Sequence, residues 1–349
     1  MALSLIFVIQ QVIVCITPMA YSLKHFHHPK KANYSFNCQL IDVAQIIQGL
    51  GLLVYYRSTY NITNLNPAIQ AIQKQLKEFE VWLLNEEQSA LLAIKNKYNI
   101  DNEIWHSYMI DTQELKDIYT NAYQQSWNVK HDTTIAPNIR NIIEKVLLKN
   151  NIDPQSINIK KRNVKKSDVI AQVALNIDFL VDSSNNRLIF TKQYQPPTLR
   201  IFSQKNSTKA PHVVMAIYAH EIQHIVQKHG LTKQILKSYL NHYYHIDEKT
   251  IDTCPEFQHL IQIHEAQAEV LSTIKDPEIA SSLRMYRKKN YYPQYLYEEH
   301  YYNISTADML WKVESWLTWF NQNSCTNIGN NLIAKMQNLA ESFKQSFTC

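Results

Sequence analysis

The sequence predicts an α+β fold, mostly helical, with a small antiparallel sheet and a helical region towards the N-terminal end. Three observations lead there. Long stretches repeat apolar residues at helical spacing, and short alternating segments cluster between residues 157 and 191. Only 4 glycines occur in 349 residues, which argues against folds that cradle a nucleotide in a glycine-rich loop; Gly49 and Gly51 alone are a weak match.

Residues 2–20 are almost wholly apolar, interrupted by Ser4, Gln10, Gln11 and Thr17. Ala20 and Ser22 then offer a small-x-small cleavage site, so residues 1–22 read as a secretory signal peptide. A membrane anchor is the alternative, since the run is just long enough to span and Lys24, Lys30 and Lys31 follow it. Either route exports the protein and allows membrane association through residues 2–20. Without Cys15, Cys38, Cys254, Cys325 and Cys349 remain, an even count compatible with two disulfides of undetermined pairing.

Residues 38–135 form the helical N-terminal region. After Pro67, the apolar positions Ile69, Ile72, Leu76, Phe79, Trp82, Leu83, Leu91 and Leu92 keep helical period to residue 97, expected as two helices. Helices are also expected over Asn102–Trp127 and Pro137–Lys149. Strands follow at Ile157–Lys161, Val169–Val181 and Arg187–Thr191, the last after a turn at Asp182–Asn186. Such short strands would let an extended polypeptide add as one more strand. The formal charge of +5 is too mild to imply a nucleic-acid partner, and the cluster Lys160, Lys161, Arg162, Lys165 and Lys166 reads as a solvated strand connection.

The chemistry concentrates at residues 220–224, His-Glu-Ile-Gln-His. On a helix His220 and His224 lie on one face, close enough to hold one Zn²⁺, and Glu221 beside them is placed to take a proton from a water at the metal. The stretch from Pro211 to His229 has no internal Gly or Pro and carries Val214, Ile217, Ile222, Ile225 and Val226. It reads as one helix starting at Pro211 and ending at Gly230. A catalytic zinc needs a third protein ligand. Glu265 is the candidate, with His264, His242, His245 and His259 as competing donors. Glu269, four residues on, shares a helix face with Glu265, and small Ala268 lies between them. One carboxylate could bind the metal while the other orients a ligating imidazole.

The run from Ile217 to Val226, followed by Lys228, His229 and Gly230, resembles the active-site helix of gluzincin metallopeptidases, in particular the HtpX and CaaX prenyl protease family. Residues 265–269 resemble that family's Glu-x-x-Ala-Asp motif. The pattern departs at Gln223, where the family carries a small residue, and at Glu269, in place of Asp. The resemblance implies a zincin-like core within a metallopeptidase domain at 136–320, one Zn²⁺ on His220, His224 and Glu265, Glu221 as general base, and a polypeptide substrate. Further along, His300 lies in the tyrosine-rich run Tyr297–Tyr302 and is the candidate for steadying an oxyanion. Asp308–Phe320 reads as an amphipathic helix carrying Leu310, Trp311, Trp316 and Trp319, and 321–349 as a C-terminal helix. The alternatives are a metal-stabilised protein without activity, or a helical interaction protein in which the motif is accidental.

Overall fold

The structure, a computed structural model, describes residues 66–127, 129–162, 171–202 and 211–279, together with Ile47, Leu50, Val54, Arg57 and Ser58. The expectations for residues 1–22, for His300, for the helix at 308–320 and for 321–349 lie outside the described residues. The mostly helical α+β class holds. The elements are α1 (Asn66–Lys97), α2 (Asn102–Ala122), α3 (Pro137–Lys149), β1 (Asn158–Arg162), β2 (Ala171–Ala174), β3 (Phe179–Asp182), β4 (Arg187–Phe190) and β5 (Thr198–Phe202). The helices α4 (Pro211–Val226), α5 (His229–Tyr244), α6 (Glu248–Thr253) and α7 (Pro255–Lys275) follow. Among the described residues no helix is long and apolar enough to cross a membrane.

Residues up to Val81 and from Val270 onward make one compact unit, and Trp82–Glu269 a second. In the first, Ile69, Leu76, Phe79, Val270 and Ile279 are buried. Gln73 there donates to the carbonyl of Ile274 at 2.9 Å, and Arg57 pairs with Glu278.

Local signals set the helix ends of the second unit. Asp101 caps α2 by accepting from the Glu103 amide at 2.7 Å, which satisfies one of the orphan donors of a first turn. Asp247 does the same for α6 through Thr250 at 2.9 Å, and Pro137 opens α3. Residues 66–97 form a single helix of 32 residues rather than the expected two, because nothing after Pro67 interrupts the backbone ladder.

The sheet departs further from expectation. It is mixed, not antiparallel: β5 lies at its centre, parallel to β1 and antiparallel to β2. β5 is not among the strands expected from the sequence. The apolar run 169–181 divides into β2 and β3, and β3 pairs with β4 across the Asp182–Asn186 turn as a separate hairpin. Leu199 and Ile201 of β5 are buried. α4 packs on β2 and α3, while α5 packs on α2 and β4.

The expected single helix over 211–229 is two. α4 ends at Val226, Lys228 takes a left-handed conformation (φ 58°), and α5 begins at His229. Gly230 therefore sits in the first turn of α5 instead of closing α4. A Cβ there would meet the Leu175 side chain at 3.2 Å, so the glycine fits a close approach of α5 to the segment after β2. Cys254 is buried and its thiol donates to Glu256 at 3.0 Å; Cys38, Cys325 and Cys349, the other cysteines of the expected disulfides, lie outside the described residues.

Leu260 is wholly buried on α7, the helix that carries Glu265. Leu260→Ala is expected to destabilise the protein by about 2–5 kcal/mol, the usual cost of truncating a core leucine. Urea titration would read this as a lower midpoint with an unchanged slope.

Candidate metal centre

α4 is buried on nearly every side: Val214, Ala216, Tyr218, Ala219, Ile222 and Ile225 are all 2 % exposed or less. A polar group on such a helix is costly without a partner, since an unpaired buried polar atom costs roughly 1–3 kcal/mol. His220 and His224 find theirs on α7. The Nε2 of His220 lies 3.0 Å from Glu265 Oε2, the Nε2 of His224 lies 3.4 Å from Glu265 Oε1, and the two Nε2 atoms are 3.3 Å apart. Their ligand atoms lie within 4.8 Å of one another, and this is the group of three potential metal ligands found among the described residues.

Two imidazoles and a carboxylate are a zinc donor set. Donors bonded to zinc at about 2.0–2.2 Å in a tetrahedron stand about 3.3–3.6 Å apart, close to the separations seen here. The back of His220 is held as well. Its Nδ1 donates to Glu269 Oε2 at 3.0 Å, and Glu269 is almost fully buried. The donor set and its spacing therefore fit a zinc ion.

The charges match that demand. Burial opposes an imidazolium at His220, but hydrogen bonds to Glu265 and Glu269 outweigh it and raise the group to about 10. The Glu265 carboxyl is also desolvated, yet the His220 and His224 rings beside it hold it far below the ordinary carboxylate range. In the metal-free chain a proton on His220 thus supplies the cation. Burial raises the Glu221 carboxyl, while the Val173 amide of β2 donates a hydrogen bond to it.

The competing donors lie elsewhere. His242 Nε2 is 3.2 Å from the carbonyl of Asn186. His245 ends α5 in a left-handed conformation, and His259 is outside the three-residue group. Gln223, where a small residue was expected, is buried and donates to Asn150 at 2.8 Å, tying α4 to the end of α3.

Other polar residues surround the site, among them His264, expected as a competing donor and found instead beside Glu87. His229 Nδ1 lies 2.9 Å from His224 Nδ1, and its Nε2 lies 2.7 Å from Gln267 Oε1. Gln267 donates to Glu87 Oε2 at 2.9 Å, and His264 Nε2 lies 3.3 Å from Glu87 Oε1. His229 and His264 stack with ring centres 4.0 Å apart. Glu87 had a visible signal: it interrupts the apolar stripe Leu76, Phe79, Leu83, Leu91, Ile94 of α1 at a core position. His229 belongs to the run that carries the resemblance but had no role assigned to it, because only the break after Val226 turns it towards His224.

The chain matches no family model, no curated protein and no solved structure. The likeness to gluzincins accordingly rests on the sequence motifs.

Glu87 and His264 link stability to pH. Burial pulls His264 down to about 4, against the pull of Glu87. Desolvation of Glu87 is outweighed by His264 and Gln267, with Lys116 adding, so its carboxyl falls to about 2. Both groups bind fewer protons folded than unfolded. Stability is therefore lost as pH falls, from about 6.5 through 4 for His264 and from about 4.3 through 2 for Glu87. Glu87→Gln is expected to flatten the lower part of that slope, read as urea midpoints of metal-free protein across the acid range. An unchanged slope would mean that other carboxylates govern acid unfolding.

Proposed function

We propose that this protein is an exported zinc-dependent metalloendopeptidase. The observation that carries the proposal is the convergence of His220, His224 and Glu265, from two helices, with Glu221 next to them in the chain. His220, His224 and Glu265 would hold the zinc. When bound, zinc would supply Lewis-acid polarisation of a water and of the scissile carbonyl.

The remaining roles belong to the chain. Glu221 would accept a proton from the attacking water and pass it to the leaving amine. Its raised affinity for protons, a result of burial, suits a group that must both take and return one. Glu269 keeps the His220 ring turned so that Nε2 faces Glu265. β2 is an edge strand among the described residues, and its Val173 amide reaches Glu221. An extended polypeptide pairing with that edge would run beside the general base, which favours a peptide substrate over a small one. His300 is retained as the candidate for steadying the oxyanion, and residues 2–20 as the export signal.

Glu221→Gln is expected to keep about one zinc per chain, as a single site of this donor set requires. Peptide hydrolysis should fall about 10²- to 10⁴-fold, the usual contribution of a general base. Elemental analysis beside an assay on an unstructured protein substrate reads both. Undiminished turnover in this variant would sink the mechanism. Zinc without turnover in the wild type would leave a metal-stabilised protein, and no zinc at all a helical interaction protein. Glu265→Gln should weaken zinc binding and hydrolysis together; unchanged metal content would exclude Glu265 as a ligand.

A further inference from the structure

The hydrogen bonds behind His224 admit one assignment of donors once Glu87 is taken as an anion and His229 as a neutral ring. A carboxylate only accepts, so the Gln267 group facing Glu87 Oε2 at 2.9 Å is its NH₂. The Gln267 carbonyl oxygen then faces His229 Nε2 at 2.7 Å, and that nitrogen must carry the hydrogen. A neutral His229 consequently has its lone pair on Nδ1. Across the 2.9 Å contact, His224 Nδ1 must donate to it. A neutral His224 with hydrogen on Nδ1 has its free lone pair on Nε2, the atom that faces His220 and Glu265. At the far end, His264 Nε2 donates to Glu87 Oε1 at 3.3 Å.

We propose that His229, with Gln267 and Glu87 behind it, is a positioning residue that locks His224 in the tautomer able to bind a metal. The clause about metal rests on the zinc reading above; the tautomer follows from the hydrogen bonds on the Nδ1 side of the ring. His229, Gln267 and Glu87 are 2 %, 2 % and 7 % exposed, so water does not compete freely for these bonds. Stacking on His264 fixes the plane of the His229 ring, and its two hydrogen-bond partners, His224 and Gln267, include no carboxylate that would hold a second proton on it. His220 is held separately, by Glu269. The two ligating histidines are therefore oriented by independent partners, one by a carboxylate directly and one by a carboxylate three groups away.

The test uses the full chain and two substitutions at one position. His229→Phe keeps a flat ring against His264 but removes the acceptor, and it is expected to weaken zinc binding about 10- to 100-fold, as loss of an outer partner of a ligating histidine does. His229→Asn returns an acceptor oxygen near the Nδ1 position and is expected to recover most of that affinity. Zinc affinity is measured by competition with a chromophoric chelator. Equal affinity in wild type and both variants, or equal loss in both variants, would overturn the assignment.

A second readout does not depend on zinc. Long-range ¹⁵N–¹H correlation spectra of metal-free, histidine-labelled protein should show His224 protonated on Nδ1 and bare on Nε2, with the preference weakened in Gln267→Met. His224 protonated on Nε2 in the wild type would overturn the proposal. If the wild type shows the expected tautomer but binds no zinc, the lock stands and the peptidase reading falls.

Discussion

Burial of α4 is the constraint on which the rest of the second unit depends. A helix surrounded by apolar contacts carries His220, Glu221, Gln223 and His224 at a cost unless neighbouring elements answer them, and each of the four has a partner, although Gln223 Oε1 and the Tyr218 hydroxyl meet none. Asn150 at the end of α3 answers Gln223, Val173 on β2 answers Glu221, and Glu265 and Glu269 on α7 answer His220. The packing of α4 on α3 and β2 is thus coupled to the geometry of its polar face. Displacing one of these elements would leave a buried polar atom without its partner.

Among the described residues, the carboxylates around this helix outnumber fixed cations close by. Glu221, Glu265 and Glu269 lie near the rings of His220 and His224, and Lys233 on α5 is itself held down by burial while facing Glu265 and Glu221. A buried excess of anions is costly unless a proton or a metal ion balances it. In the metal-free chain the balance falls on the His220 proton. A divalent cation among the same donors would meet the same demand with two charges, and its binding would displace that proton. This electrostatic need links the donor geometry to the chemistry proposed for it.

Orientation comes from farther out than the ligands themselves. Glu269 reaches His220 from the same helix that supplies Glu265, so one helix both provides a ligand and aims another. His224 is aimed from the opposite side, through His229 at the start of α5 and Gln267 on α7 to Glu87 on α1. A site supported on three helices loses its alignment if any one of them shifts, so the part of α1 that carries Glu87 helps to hold the candidate site in place.

Much of this was legible in the residues. Spacing of four placed His220 beside His224 and Glu265 beside Glu269, because 3.6 residues per turn puts such pairs on one face whatever the surroundings. Pro137 and the breaker-free run after Pro67 likewise announced helices, and Asp182–Asn186 announced a turn. Nothing local could announce β5 as the centre of a mixed sheet, since strand order depends on pairing between distant segments. The same holds for His229. In a continuous helix, residues five apart point about 140° away from each other, so its contact with His224 exists only because Lys228 breaks the helix in a left-handed turn. Glu87 could be recognised as out of place in an apolar stripe, but not as the anchor of a histidine more than a hundred residues away. The sequence by itself determined which faces carry the chemistry, because helical periodicity is a local property of the chain. Tertiary structure alone decided what stands behind those faces, because buried polar groups are satisfied by whichever distant partner the fold brings within reach.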